Sequence, residues 1–262
     1  MSERQEPLLL VGAQRSGTTA LGHALSAAYA RAGGCFTVNG KLFYLAARWI
    51  GDDDLAARHL RVDELCHALD RRPAGGDGAQ LWRGRVEAAL RAQAFRVADG
   101  HVDGAATLVR DVAAAAYGDG PWGDKYNEYL LDLPYLHRLY PRARWLFVYR
   151  HPAEVAASMR AWSGDRPWRP ADLAGCELKW AEWNERWLAF RDWVAAHRRL
   201  EISYDALCTR AGPRAVSRHT GVELPDRCMS RRQPAPDDRL CTARAADVWS
   251  RLSALSPAPV SV

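Results

Sequence analysis

The chain has 262 residues, 48% of them hydrophobic, and carries 36 Lys and Arg against 31 Asp and Glu, a net charge of +5. This length can bury a substantial core within one α/β domain bearing insertions, and the mild positive charge attracts anions without the clustered basic runs of a nucleic-acid surface. Six scattered cysteines with no Cys-x-x-Cys pair indicate neither a zinc site nor a disulfide framework, and favour a reduced, cytoplasmic setting.

No charged segment leading into a long apolar run precedes Leu8, and nowhere are there about 18 consecutive apolar residues, so neither a signal peptide nor a membrane span is expected. Only Lys41, Lys125 and Lys179 are lysines, an arginine bias that fits a GC-rich bacterial genome better than a nucleic-acid partner. The apolar run Leu8–Val11 enters a turn bounded by Gly12 and Gly17, then a helical pattern through Leu21, Leu25 and Ala28. Strand, glycine-bounded loop and helix form the context of a phosphate-binding loop, whose backbone N–H groups meet an anion at a helix N-terminus. Thr18 stands where nucleotide-hydrolysing loops carry Lys, and the loop's cation is Arg15. A tight turn with glycines and a threonine cap is the structural alternative.

Gly33-Gly34 ends the helix, and Cys35–Val38 is predicted as a second strand, opening a parallel βαβ unit. Asn39-Gly40 turns the chain at the strand end where ligands collect in open α/β sheets, so Lys41 is either functional or a solvated surface lysine. The pattern is helical from Leu42 to about Leu69, interrupted by Gly51-Asp-Asp-Asp54, which reads as a helix-capping cluster rather than a metal site. A flexible loop is expected over 70–78 and another amphipathic helix through Leu81, Val86, Leu90 and Phe95. Residues 42–100 thus read as a helical insertion, either a cap shaping an acceptor pocket or purely structural.

A helix is predicted from Ala105 to about Ala116 and a loop over Tyr117–Gly123. Asp124-Lys125 then precedes a helix that restarts with Pro134 in its first turn and stops before Pro141. Arg144–Tyr149 is a near-continuous apolar run, the mark of a strand buried on both faces of a parallel sheet. Arg150 ends it, and Pro152 opens a helix carrying Ser158, eight residues beyond Arg150. Trp180, Trp183 and Trp187 share a helical face, more in keeping with core packing than with an aromatic acceptor pocket. Leu200–Tyr204 is the last predicted strand; a basic, proline-broken tail follows over Arg227–Arg239, and residues 256–262 are expected to fray.

Three of these stretches together resemble the sulfotransferases that use 3′-phosphoadenosine 5′-phosphosulfate (PAPS). Gln14-Arg-Ser-Gly-Thr-Thr19 is similar to their 5′-phosphosulfate loop, Arg150 and Ser158 to their 3′-phosphate pair, and Tyr204-Asp-Ala-Leu207 to a segment whose tyrosine approaches the adenine. Asp124-Lys125 resembles an acid-lysine pair of the bacterial and Golgi-type branches. The resemblance implies a three-layer P-loop-type fold, with a mainly parallel sheet flanked by helices. It also implies transfer of a sulfuryl group from PAPS to a hydroxyl or amine of a small metabolite or natural product, with PAP as the other product, no metal, and neither nucleic acid nor membrane as a partner. Gly12, Arg15, Ser16, Gly17, Thr18, Thr19, Arg150, Ser158 and Tyr204 would bind the donor; Arg15 and Lys125 would stabilise charge.

The sequence departs from the pattern at His151, where Asp or Asn precedes the proline, at Ala20, where one branch has Trp, and at Asn127, where that branch has its catalytic His. The glutamate base of Golgi-like branches has no counterpart in Asn39-Gly40-Lys41. Lys41 and His101, then Asp124 and Glu128, are the candidates for receiving the acceptor proton. A P-loop kinase-like enzyme would want the loop lysine and a metal-binding Asp at the end of the apolar strand, where this chain has Arg150. A non-catalytic anion- or nucleotide-binding protein is the third reading.

Overall fold

A computed structural model describes residues 6–164, 168–230 and 240–255. Most of the basic tail expected up to Arg239, and the frayed end expected over 256–262, lie outside the described residues. Five strands, β1 (Leu8–Val11), β2 (Cys35–Val38), β3 (Trp122–Lys125), β4 (Arg144–Tyr149) and β5 (Arg199–Ser203), form one sheet in the order β2-β3-β1-β4-β5. Helices flank it, giving a three-layer α/β fold of the P-loop type. The chain packs into two compact units: the described part of Met1–Leu9 with Gly22–Arg144, and Leu10–Leu21 with the described part of Trp145–Val262.

In the first unit β2 and β3 run parallel, with Cys35 opposite Trp122 and Val38 opposite Lys125. Helix α1 (Thr18–Arg31) leads into β2, and α2 (Leu42–Trp49), α3 (Asp52–Ala56), α4 (Val62–Asp70), α5 (Ala79–Ala98) and α6 (Ala105–Tyr117) follow it. The segment expected to be helical over 42–69 is therefore three helices, because the acids at its centre cap rather than propagate. Asp54 accepts from the Gly51 N–H at 2.9 Å and pairs with Arg61, while Asp52 accepts from the Ala105 N–H at 3.1 Å. The 70–78 loop is pinned to β2, since Gly75 and Val38 exchange backbone hydrogen bonds of 2.7 and 3.0 Å.

Trp122–Lys125, assigned in sequence partly to a loop and partly to a helix entry, is a buried strand. Gly123 makes that possible: a Cβ there would lie 2.6 Å from the Leu8 carbonyl oxygen and 2.6 Å from the Phe36 ring. A 3₁₀ turn over Asn127–Leu131 and helix α7 (Leu133–Leu139), with Pro134 in its first turn, complete this unit.

In the second unit β4 and β5 run parallel, Trp145 opposite Arg199 and Tyr149 opposite Ser203. Helices α8 (Pro152–Arg160), α9 (Leu173–Phe190), α10 (Tyr204–Leu207), α11 (Ala211–Thr220) and α12 (Ala243–Ser253) pack around them. Trp180, Trp183 and Trp187 are buried on α9, and the Trp187 ring stacks on Phe147 of β4 at 4.8 Å, so these aromatics are core. Tyr204 lies one residue beyond β5, where the Ser203 hydroxyl accepts from the Ala206 N–H and turns the strand into α10.

Candidate functional site

The second unit holds the loop. β1 is wholly buried and delivers Gly12, whose missing Cβ would lie 2.4 Å from the Val148 carbonyl oxygen of β4. Gly17 has φ +93°, a conformation glycine adopts freely, and a Cβ there would meet the Tyr204 ring at 2.6 Å. These two glycines let the loop lie against β4 and Tyr204, and Thr18 begins α1, whose first backbone N–H groups have no acceptor within the helix. Ser16 is fully buried, and its hydroxyl oxygen has no hydrogen-bond partner among the described residues. An orphaned buried hydroxyl in an anion-binding type of loop fits a phosphate oxygen. Thr18 is buried and Thr19 exposed.

Four side chains close around the loop. Arg15 Nε donates to Ser158 Oγ at 3.0 Å, and its guanidinium lies 4.2 Å from the Trp162 ring centre. Arg150 lies over the Tyr204 ring at 4.4 Å, donates from Nε to Glu154 Oε2 at 2.7 Å, and reaches the Arg15 carbonyl at 3.5 Å. The Arg150 carbonyl accepts from Trp180 Nε1 at 3.1 Å, so the α9 core fixes the strand end. The Tyr204 hydroxyl donates to the Ser230 carbonyl at 3.1 Å, and burial raises the phenol above its ordinary value. Burial and the neighbouring Arg150 lower the Arg15 pKa. The loop that carries the orphaned Ser16 hydroxyl thus also carries one guanidinium, Arg15, and receives a second, Arg150, a concentration of positive charge of the kind that attracts anions.

The first unit holds the other charged cluster. Lys125 is 1% exposed at the end of β3, and Nζ donates to Asn39 Oδ1 at 2.9 Å and Asn127 Oδ1 at 2.8 Å. Burial pushes this ammonium down to about 8, against the opposing pull of Glu128 and Asp124. Asp124 is fully buried and pushed up to about 6 by desolvation, although hydrogen bonds from Tyr129, Thr37 and the backbone act against that.

The remaining candidates are placed as follows. Lys41, at φ 63° ahead of α2, donates from Nζ to the Ala68 and Leu69 carbonyls at 2.8 and 3.2 Å, capping the last turn of α4. His101 is exposed between α5 and α6, its carbonyl accepting from Arg96 at 3.1 Å. Glu128 is half-buried in the 3₁₀ turn three residues after Lys125 and lines a shallow cleft with Tyr44, Arg48, Asp132 and Tyr135. The structure thus groups Gly12, Arg15, Ser16, Gly17, Thr18, Arg150, Ser158 and Tyr204 within one unit, and Lys125 with Asn39 and Asn127 in the other. Glu154 and Trp162 escaped the sequence reading: Arg150 precedes the helix that carries Glu154, so no single-helix spacing announces their ion pair.

A family described as the sulfotransferase family matches residues 7–226. The solved structures that resemble this fold include the sulfotransferase domain of the Synechococcus PCC 7002 olefin synthase, at 17% identity and TM-score 0.57, covering 97% of this chain and 96% of that one. The sulfotransferase domain from the curacin biosynthetic pathway is similar at 15% identity and TM-score 0.50, covering 94% and 83%. The sequence matches no curated protein. Among the described residues, no helix is long and apolar enough to cross a membrane.

Proposed function

The chain belongs to the sulfotransferase family, and from that premise we propose that it moves the sulfuryl group of PAPS to a hydroxyl or amine of a small acceptor by in-line displacement. The observation that carries the donor assignment is the cluster of Arg15, Arg150, Ser158 and Tyr204 around a loop with a buried, unsatisfied Ser16 hydroxyl. PAPS, when bound, supplies a sulfuryl group activated by a phosphate leaving group. The loop N–H groups with Ser16, Thr18 and Thr19 hold the 5′-phosphate, and Arg150 with Ser158 holds the 3′-phosphate. Tyr204 packs against the adenine.

Arg15 neutralises charge on the leaving phosphate and Lys125 on the sulfuryl oxygens, tasks of positioning and electrostatics that need no covalent enzyme intermediate. Lys41 is less suited to take the acceptor proton, because its ammonium is committed to the α4 carbonyls. Glu128, beside a cleft and close enough to raise the Lys125 pKa, suits that task better than exposed His101 or fully buried Asp124. The helices within 42–100 form the acceptor side. The names of the two structural neighbours, an olefin synthase and the curacin pathway, support a natural-product acceptor.

Calorimetry with adenosine 3′,5′-bisphosphate against ATP and magnesium tests the donor. The bisphosphate should bind more tightly, and preference for ATP would favour a kinase-like enzyme. With an acceptor found by mass-spectrometric screening for a gained sulfuryl group, Arg15→Ala or Lys125→Ala should lower turnover on the order of a hundredfold or more. Near-normal turnover in both variants rejects the assignment.

A further inference from the structure

A carboxylate with 0% exposure at the penultimate position of a central strand is an expensive filler, since desolvation disfavours its charged form. The contacts of Asp124 show what it does there. Thr37 Oγ1 donates to Oδ1 at 2.7 Å, the Tyr129 hydroxyl donates to Oδ2, and the backbone N–H groups of Gly40 and Lys125 also donate to the carboxylate. Gly40 permits this approach, because a Cβ there would stand 3.0 and 3.2 Å from the two carboxylate oxygens and 2.8 Å from Thr37 Oγ1.

Two separate stretches of chain therefore converge on one side chain. The end of β2 and the turn after it arrive through Thr37 and Gly40, and the 3₁₀ turn arrives through Tyr129. Each of these stretches supplies one amide oxygen to the Lys125 ammonium, Asn39 at 2.9 Å and Asn127 at 2.8 Å. Asn39 is further fixed by its N–H, which donates to the Lys125 carbonyl at 2.6 Å, and by a left-handed φ of 63°.

We propose that Asp124 is a positioning residue for sulfuryl transfer: its buried carboxylate joins the Asn39 turn to the Asn127 turn, and so sets the two amide oxygens that aim the Lys125 ammonium. This rests on the role given to Lys125 in the proposed function. Asp124 and Glu128 are the charged groups that favour the ammonium, and burial opposes them. Removing the Asp124 charge should therefore lower the Lys125 titration midpoint as well as loosen its aim. A purely structural role would change stability and leave the turnover of the folded variant in place.

The test is Asp124→Asn. The chain has three lysines, Lys41, Lys125 and Lys179, so lysine labelled with carbon-13 at the ε position gives few enough NMR signals to follow Lys125 through a pH titration. The wild-type midpoint should lie near 8. The variant should show a lower midpoint and turnover reduced by on the order of tenfold to a hundredfold, the cost of a misplaced catalytic group. Its affinity for adenosine 3′,5′-bisphosphate should stay within about twofold, since binding is assigned to other residues.

An unchanged midpoint, or unchanged turnover in a variant that folds, overturns the proposal. Thr37→Val removes one donor to the carboxylate while keeping its charge, and serves if Asp124→Asn does not fold. It should lower turnover severalfold and shift the Lys125 resonance, and no change in either overturns the proposal. A wild-type chain inactive with PAPS would sink the functional reading alone, because the lysine titration requires no turnover and still decides whether Asp124 governs Lys125.

Discussion

Glu154 is 4% exposed, and its carboxylate holds Arg150 Nε at 2.7 Å while the guanidinium lies over Tyr204. Gripped at Nε, and with one terminal nitrogen 3.5 Å from the Arg15 carbonyl, the guanidinium is fixed in orientation beside the loop, which suits it to receive a phosphate in one geometry. Glu154→Gln keeps an oxygen acceptor but removes the charge assistance. It should raise the Kd for adenosine 3′,5′-bisphosphate about tenfold, or roughly 1.4 kcal/mol, with little change in fold. Glu154→Ala leaves a largely buried cation without its carboxylate and should destabilise the chain by on the order of 3 kcal/mol. Calorimetric titration and chemical denaturation measure the two effects; bisphosphate affinity unchanged in both variants would remove Glu154 from the donor site.

Among the elements, β1 with its loop and β4 with the Pro152 helix were legible in sequence, whereas β3 was not. An apolar run leading into glycines five residues apart, or into Arg-His-Pro, carries both the burial and the termination of a strand. Trp122-Gly-Asp-Lys125 carries neither, because its buried residues after the tryptophan are a glycine, an acid and a lysine. Asp124 and Lys125 belong to a polar clamp with Thr37, Asn39, Asn127 and Tyr129, and a strand holding such buried polar groups departs from the hydrophobic pattern. Asn39 read as a turn residue and Asn127 as the replacement of one branch's catalytic His, and the structure gives both a second place as acceptors from the Lys125 ammonium. Gly123 gives the element-scale prediction. Gly123→Ala puts a Cβ against the Leu8 carbonyl and the Phe36 ring, and overpacking of this kind costs about 1–3 kcal/mol. Each kcal/mol should lower the melting temperature by about 2–4 °C in a chain of this size. A melting temperature equal to wild type would show that β3 is not held this closely to its neighbours.

For the molecule as a whole, the buried Asp124 and Lys125 set a pH dependence of stability opposite to that of an ordinary surface ion pair. Asp124 titrates near 6 when folded and at 3.8 when unfolded, so between about pH 4 and 6 the folded chain keeps a proton that the unfolded chain releases. Stability contributed by this group falls as pH rises through that window. Lys125 titrates near 8 folded and 10.5 unfolded, so between about pH 8 and 10.5 the unfolded chain keeps the proton and stability rises with pH. The two charges together therefore cost most stability between about pH 6 and 8, where both groups are ionised in the fold. Asp70, Glu87, Glu185 and Asp226, each lowered by an arginine partner, act in the other direction and lose stability as acid protonates them. The Asp124 contribution is isolated by comparing wild type with Asp124→Asn. From pH 4 to pH 6 the stability of wild type relative to the variant should fall by about 2 kcal/mol, the part of the shift that falls inside that window. Denaturant midpoints measured at half-unit intervals read this difference. A constant gap between the two proteins across that range would mean that Asp124 ionises like a solvated carboxylate, and that the strand end is open to water rather than closed around the clamp.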